Sequence, residues 1–547
     1  MKTFKPLFTF LTVALLLVVQ GCQDPLKDVN VVVSSAVIRY STLLEITDGL
    51  GKPAKNVTVT ITGPDAEYIY NLDGYKQFTL NDGLLGLGVH PKHEPTETDP
   101  VTFSVRLSGE GYVTQVIPVQ ITSGQHSGLH AISLLRPDAA PPGVTVYRPS
   151  AALEDGQLAE TLTISTPLTG PSEQAAQITL PAGTQFLDEN GKPLQGGQLS
   201  AQIINVDTDK EEALSIFPGG QLATTGVYPA GSNAPVSGVF NPAAVTSIEF
   251  FVDGQPVRRF SQPIVVSQQI GSDFQHGITG LPVQAGDVLD VYSYTLADAR
   301  WVYEREAVVS QADGQLYATF EIDHLSWYLN GNFTTSCPEP TTVTLQASWF
   351  DANITYPLTV EAVMAGKVVQ RFTASVNTNN NSLRFNDLPA DGVSIRVMDD
   401  RGAVLAEQPL AGCGGTTAIN LADPETVADP TVTLQLYVRC PGQKEVVDVI
   451  PTFYLYYRQR GTGMDWEFLG IVVNGFISTK MLIPDENVRY DFKAVWGNEV
   501  KIVGDHAVKQ DNSGTVGTEP GDIIGEHAGA TNLAMLSEKC DELLPQE

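Results

Sequence analysis

Val101-Thr-Phe-Ser-Val-Arg-Leu107 alternates apolar and polar side chains at nearly every step. Such period-two alternation places the apolar side chains on one face of an extended strand and the polar ones on the other. Asn56-Val-Thr-Val-Thr-Ile-Thr62 and Val116-Ile-Pro-Val-Gln-Ile121 show related patterns, and turn residues separate these runs at short intervals. No helical pattern longer than a few turns carries credible end signals. The sequence therefore predicts an all-β chain of tandem β-sandwich domains.

Composition limits the class of protein. The chain has 547 residues, of which 42% are hydrophobic and 17% are charged. It therefore holds enough apolar material for several cores and is not a disordered acidic tail. Its 62 Asp and Glu residues against 32 Lys and Arg residues give a formal net charge of -30. No nucleic acid is expected as a partner, because phosphate binding needs clustered Lys and Arg.

The first residues predict export from the cytoplasm. Lys2 and Lys5 form a basic start, the run from Leu7 to Val19 carries no charge, and Gly21 precedes Cys22. A basic start, an apolar run and a small residue are the parts of a secretory signal peptide. The run is too short for a membrane-spanning helix, which needs about 20 apolar residues.

A small residue followed by Cys22 resembles the lipobox of bacterial lipoproteins. The resemblance implies that residues 1–21 are a lipoprotein signal peptide and that Cys22 becomes the mature N-terminus, carrying lipid such as palmitate. Residues 22–28 would form a tether, whose acidic character is similar to that of Bacteroidetes surface lipoproteins. The protein would then be anchored at the outer membrane, periplasmic or surface-exposed. The alternative is an ordinary signal peptide that happens to be followed by a cysteine.

Residues 29–136 are predicted to form the first sandwich. Asp48-Gly-Leu-Gly-Lys-Pro53 and Gly63-Pro64 bracket one strand, and Gly111-Tyr112 opens a late one. This arrangement resembles the carboxypeptidase regulatory-like, transthyretin-type sandwich. The resemblance implies a spacer or adhesive module without catalytic residues. Residues 137–143, rich in Ala and Pro, are predicted to be a linker.

Residues 144–336 are predicted to form the second and largest domain. Leu180-Pro-Ala-Gly-Thr184 and the terminal Phe320-Glu-Ile-Asp-His-Leu-Ser326 resemble motifs of the ZU-type β-sandwich of ankyrins and netrin receptors. The resemblance implies a module that binds proteins or transmits conformational strain.

The last part of the chain contains an internal repeat. Thr342-Val-Thr-Leu-Gln346 returns 89 residues later as Thr431-Val-Thr-Leu-Gln435. Shared order and spacing predict two tandem Ig-like or transthyretin-like sandwiches, over residues 337–421 and 430–540, with a tail at 541–547.

Cysteine usage fits an exported protein. Apart from Cys22, the chain has Cys337, Cys413, Cys440 and Cys540. An even number in an exported chain favours disulfides, and four cysteines allow three pairings. We predict Cys337–Cys413 and Cys440–Cys540, because each pair then brackets one repeat. A zinc site is the alternative, but the spacing of tetrahedral zinc ligands is missing.

The aromatic run that begins at Phe453 contains the main candidate for ligand binding. Alternation sends Tyr454, Tyr456 and Arg458 to one face of the strand. If that face is exposed, its rings can stack on sugars, and the guanidinium can hold hydroxyl or carboxylate groups. The alternative is a strand that is buried on both faces or lies at a contact between domains.

A loop after residue 204 spaces oxygen-bearing side chains at alternate positions, including Asp207 and Asp209. Calcium loops use this kind of spacing, so the two aspartates are candidates for a calcium site. No other cofactor is expected. The alternative is a solvated acidic turn.

The common catalytic motifs for serine hydrolases, zinc proteases and phosphate-binding loops are missing from the sequence. We therefore predict a non-catalytic, lipid-anchored envelope protein that acts as a structural, adhesive or protein-binding module. A glycan-binding lipoprotein of a polysaccharide-uptake system is the first alternative. A hydrolase with scattered acidic residues is the second.

Overall fold

A computed structural model describes residues 31–34, 38–72, 74–96, 99–124, 128–277, 280–424, 430–435, 438–439, 447–450, 452–496 and 499–512. Strands make up most of this part of the chain, as an all-β sequence predicts. In these ranges no helix combines the length and the hydrophobicity that a membrane crossing requires. Four units, called modules 1 to 4 below, are defined by their strands.

Module 1 is a sandwich in which the predicted alternation is observed directly. In β6 every second side chain from Val101 is buried, and Phe103 and Val105 meet Leu44 and Ile46 of the facing sheet. One sheet has the order β3-β6-β7, and β8-β2-β5-β4 forms the other. After β1 (Val31–Ser34), the module comprises a 3-10 turn (Ala66–Tyr68) and β2 (Ser41–Asp48), β3 (Thr58–Thr62), β4 (Ile69–Asn71), β5 (Leu84–Val89), β6 (Val101–Ser108), β7 (Gln115–Ile121) and β8 (Gly128–Leu134).

Module 2 is one large sheet of 14 strands. Strand β15 pairs with both β16 and β20, so the sheet curls around its own core. The elements are one short helix, α1 (Glu211–Leu214), and β9 (Val144–Tyr147), β10 (Ser150–Ala152), β11 (Leu162–Ser165), β12 (Ala176–Leu180), β13 (Phe186–Leu187), β14 (Gln198–Val206), β15 (Ala223–Tyr228), β16 (Val236–Val252), β17 (Gln255–Pro256), β18 (Arg259–Gln269), β19 (Val288–Thr295), β20 (Arg300–Ala312), β21 (Gln315–His324) and β22 (Trp327–Thr335).

Modules 3 and 4 are sandwiches with the same strand order. Module 3 comprises β23 (Thr341–Gln346), β24 (Tyr356–Met364), β25 (Lys367–Val376), β26 (Ser382–Phe385), β27 (Val393–Met398), β28 (Val404–Pro409) and β29 (Thr416–Asn420). Module 4 comprises β30 (Val432–Gln435), β31 (Val438–Arg439), β32 (Val447–Ile450), β33 (Phe453–Gln459), β34 (Glu467–Val472), β35 (Phe476–Thr479), β36 (Tyr490–Trp496) and β37 (Glu499–His506).

The order β28-β27-β24-β25 of module 3 corresponds strand by strand to β37-β36-β33-β34 of module 4. In the second sheet, β23 pairs with β26 as β30 pairs with β35. Even the parallel pairing of β23 with β29 has a counterpart, a parallel bridge between Thr433 and Asp511. A shared topology therefore underlies the repeated pattern in the sequence.

The modules share sheets as well as packing contacts. Thr373 of β25 pairs with Leu129 of β8, which joins one sheet of module 1 and one of module 3 into a continuous sheet of eight strands. Strand β1, which lies in the segment predicted to belong to the first sandwich, pairs instead in parallel with β32 near the start of module 4. The modules are therefore not separate units joined only by linkers.

One hydrophobic core extends through modules 1, 2 and 3. It joins Val116 of β7, a central group that includes Phe217 and Trp301, and Val343 of β23. The rings of Phe217 and Trp301 are stacked with centroids 5.2 Å apart. The Tyr294 hydroxyl, also in this core, donates a hydrogen bond to the Val116 carbonyl. This core fixes the three modules against one another.

Candidate functional site

Strand β33 lies between two apolar environments. Phe453, Leu455 and Tyr457 point into the core of module 4, as alternation predicts. Tyr454 and Tyr456 point to the opposite face, where they are only 6% and 2% exposed. The prediction that these two rings form an exposed platform is therefore wrong.

The face that carries Tyr454 and Tyr456 is covered by module 1. Both rings pack against Leu43, Leu84 and Leu129 of strands β2, β5 and β8. These leucines lie on the outer face of the sheet whose inner face forms the core of module 1. The alternative of a contact between domains is the observed arrangement.

Arg458 is also engaged with neighbouring side chains. Its guanidinium bonds to the Asp491 carboxylate, with Nη2 2.9 Å from Oδ2, and lies over the Trp466 ring at 4.6 Å. Its side chain remains 42% exposed, but the guanidinium group that was predicted to bind a ligand carboxylate already binds the carboxylate of Asp491. Tyr454 and Tyr456 thus lie in an internal seam between modules 4 and 1, and Arg458 is held by Asp491 and Trp466 of module 4 itself.

Charged groups are enclosed in the same seam. The Lys493 ammonium is 3.0 Å from Asp82 Oδ2 and 4.5 Å from the centroid of the Tyr456 ring, and its side chain is only 4% exposed. Burial raises the pKa of the nearby Glu45, and Lys493 opposes that shift. Burial also raises the pKa of Tyr456, whose hydroxyl oxygen finds no hydrogen-bond partner among the described residues.

Asp207 and Asp209 lie at the boundary between modules 2 and 3. Asp207 accepts hydrogen bonds from the backbone N–H groups of Glu173 at 2.9 Å and Asp209 at 3.1 Å. Asp209 Oδ1 is 3.6 Å from the Lys367 ammonium, which also donates to the Thr208 carbonyl at 2.8 Å. Burial lowers the pKa of Lys367, and Asp209 counteracts this effect.

The Lys367 ammonium thus lies beside the loop that carries Asp207 and Asp209, where a bound calcium ion would place its own positive charge. Neither this loop nor any other place in the described ranges brings together three or more His, Cys, Asp or Glu side chains that could hold a metal ion. The calcium site stays a prediction that the geometry around Lys367 does not favour.

Cys337 and Cys413 form a disulfide with Cα atoms 5.2 Å apart, which is the predicted pair. The bridge closes module 3, since it links the segment before β23 to the segment before β29. Cys22, Cys440 and Cys540 lie outside the described residues, so their lipidation and pairing stay predictions.

Sequence reasoning missed a cleft of about 630 Å3 where modules 1, 2 and 3 meet. It is lined by several segments that are distant in the sequence, among them Ala131–Ser133 of β8, residues of α1 such as Glu211, and Val368–Arg371 of β25. No local motif marks such a place, because each lining segment is an ordinary strand or turn by itself.

The cleft is bordered by a ladder of ion pairs. Glu361, with only 1% of its side chain exposed, accepts hydrogen bonds from Arg371 Nε at 2.6 Å and Arg396 Nη1 at 3.2 Å. Arg371 also pairs with Glu211 of module 2, which ties the ladder to α1. These contacts hold the walls of the cleft in place.

No protein-family model and no curated protein matches this chain. Among solved structures, the streptococcal ancillary pilin is 10% identical with a TM-score of 0.14, over 43% of this chain and 94% of the pilin. BcpA, the major pilin subunit of Bacillus cereus, is 11% identical with a TM-score of 0.12, over 70% and 99%. The Bacillus anthracis TIE protein is 8% identical with a TM-score of 0.12, over 67% and 56%. These values are too low to support a functional conclusion, so the fold is argued from the strands themselves.

Proposed function

We propose that this chain is a non-catalytic, lipid-anchored protein of the bacterial cell envelope that serves as a structural, adhesive or protein-binding unit. The observation that carries the proposal is the fusion of the modules. Modules 1 and 3 share an eight-stranded sheet, and one core runs through modules 1, 2 and 3.

Such fusion suits a protein that holds a fixed shape under load. Modules that are linked only by flexible segments move independently, whereas a shared core or sheet transmits force without a hinge. Module 4 adds to this rigidity, because its Tyr454 and Tyr456 face is packed on module 1. The result is a body that presents large, fixed outer surfaces to a partner.

The location rests on the sequence around Cys22. A lipid on Cys22 would anchor the body at the outer membrane through the short tether of residues 22–28. One acyl chain binds a membrane only marginally, so stable anchoring requires more than one. The expected partner is another envelope protein.

The glycan-binding alternative loses its main support in the structure. Its candidate rings are those of Tyr454 and Tyr456, which are buried against module 1. A sugar needs an accessible aromatic face for stacking. Nothing observed in the described part of the chain favours the hydrolase alternative either.

The test uses the full chain expressed in a bacterium with an outer membrane. Wild-type protein should take up labelled palmitate, fractionate with the outer membrane and cross-link to at least one envelope protein. The Cys22→Ser variant, which keeps every module, should lose the label and appear in the soluble fraction. Unlabelled, soluble wild-type protein would refute the anchor, and turnover of any member of a broad substrate panel would refute the non-catalytic role.

A further inference from the structure

The cleft between modules 1, 2 and 3 is a consequence of how two strands of the shared sheet separate. Strands β8 and β25 pair at Gly128 with Ala374 and at Leu129 with Thr373, and at no other described position. Beyond these pairs, the Arg371 carbonyl accepts a hydrogen bond from the Gln221 side chain at 2.9 Å instead of from a strand. The separation leaves the volume of about 630 Å3 described above.

The wall of the cleft combines apolar and acidic groups with one basic group, Arg371. Leu50 of module 1, which is exposed, and Leu214 of module 2, which is half-buried, supply accessible aliphatic surface. Glu211 and Glu212 supply carboxylates, of which Glu211 is paired with Arg371. Glu212 is exposed, and no ion pair to it occurs among the described residues. An acidic rim above an aliphatic wall is complementary to a cation on an apolar stem.

A second, smaller pocket of about 90 Å3 adjoins the cleft and shares Ile132, Gln221 and Gln370 with it. Two side chains that line this pocket carry buried oxygen atoms without a hydrogen-bond donor in the described part of the chain, Gln370 Oε1 and Asp387 Oδ1. Burial raises the pKa of Asp387 to about 6, and a hydrogen bond with the Ser237 side chain opposes that shift, so the carboxylate still carries charge at neutral pH. Buried acceptors that lack donors are destabilising, so these two oxygen atoms favour a ligand that donates hydrogen bonds.

Both features require the same kind of ligand. The rim attracts positive charge, and two oxygen atoms of the inner pocket lack a donor partner. An ammonium or guanidinium group supplies several donors without adding an acceptor. We propose that the cleft binds an aliphatic cation, with its stem against Leu50 and Leu214 and its charged head directed toward Asp387 and Gln370.

This inference goes beyond the proposed function and stands on the cleft alone, whether or not Cys22 is lipidated. The same chemistry has two sources, a free polyamine or a lysine or arginine side chain of a partner protein. Isothermal titration of the full chain with spermidine represents the first source. Titration with the peptide acetyl-Gly-Lys-Gly-amide represents the second, and its Nε-acetylated form is the uncharged control.

Three variants locate the binding. Ala131→Phe fills the cleft from an exposed position without altering any charge. Asp387→Asn removes the inner charge and should weaken binding about tenfold, the effect typical of a lost charge-assisted hydrogen bond. Glu189→Gln, at an exposed turn of module 2, removes an equal charge far from the cleft and should leave binding unchanged. It is the matched control for non-specific attraction to a chain of net charge -30.

The proposal is supported if either charged probe binds, the acetylated peptide does not, and both Ala131→Phe and Asp387→Asn weaken binding. Binding of spermidine alone identifies a free polyamine as the source, and binding of the peptide alone identifies a protein side chain. The proposal is overturned if neither probe binds. It is also overturned if Glu189→Gln weakens binding as much as Asp387→Asn, or if Ala131→Phe has no effect.

Discussion

Replacing Tyr456 with alanine should destabilise the contact between modules 4 and 1 by about 3–5 kcal/mol, the range measured for aromatic-to-alanine changes in protein cores. The ring is 2% exposed and packs within the cluster formed with Leu43, Leu84 and Leu129. It also faces the Lys493 ammonium at 4.5 Å, a contact that contributes on the order of 0.5–2 kcal/mol. An exposed ring would instead give a change within about 0.5 kcal/mol.

Replacing Tyr456 with phenylalanine should not destabilise the protein. The hydroxyl oxygen of Tyr456 is buried and has no partner among the described residues. Removing an unsatisfied polar group while keeping the ring should be neutral or stabilise the protein by about 1 kcal/mol. The pair of substitutions thus separates the packing of the ring from the burial of its hydroxyl group.

The assay is hydrogen exchange of the full chain, read by mass spectrometry, together with denaturant unfolding. Tyr456→Ala should accelerate exchange in β33 and also across the seam in β2 and β8. Tyr75→Ala is the control, since Tyr75 is 48% exposed in module 1 and should change little. An effect of Tyr456→Ala below about 1 kcal/mol, or a change in exchange confined to β33, would refute the packing of module 4 on module 1.

Two further substitutions test the contacts that hold the structure, and a third tests the titration of Asp387. Cys337→Ser opens a bridge that spans a sequence separation of 76, and should lower the stability of module 3 by about 4 kcal/mol, which thermal unfolding with and without reductant would detect. Glu361→Ala removes the buried carboxylate that Arg371 and Arg396 share. It should lower the free energy of unfolding by about 1–3 kcal/mol in a denaturant titration, because each arginine is partly exposed and keeps a second carboxylate partner. Burial raises the pKa of Asp387 from an ordinary value of 3.8 to about 6, so the folded state binds the proton more tightly than the unfolded state. Stability should therefore fall as pH rises from about 4 to 6, and Asp387→Asn should reduce that slope; an unchanged slope would contradict the assignment.

The strands were the most predictable part of this molecule. Alternation from Val101 to Leu107 corresponds to β6, with the apolar side chains in the core as predicted. The repeat of Thr342–Gln346 at Thr431–Gln435 corresponds to β23 and β30, which occupy equivalent places in two sheets of the same order. Both signals are local, and local patterns specify which face of a strand is apolar.

The partners of those faces were not predictable. Alternation in β33 separates Tyr454 and Tyr456 from the core side, but it contains no information on what covers them. Lys493 and Lys367 are single charges in the sequence, yet the fold places each beside an aspartate of another module. Long-range contacts of this kind depend on the assembled fold, and therefore the cleft and both ion pairs were found only in the structure.

The pairing of Leu129 with Thr373 also has a consequence for biogenesis. The two strands are separated by all of module 2, so the edge of β8 is made long before its partner emerges. At a synthesis rate of about 5–20 residues per second, the wait amounts to roughly 12–50 seconds. An unpaired edge is a template for association with other chains during that interval. The edge of β8 is therefore open to such association until β25 has been made.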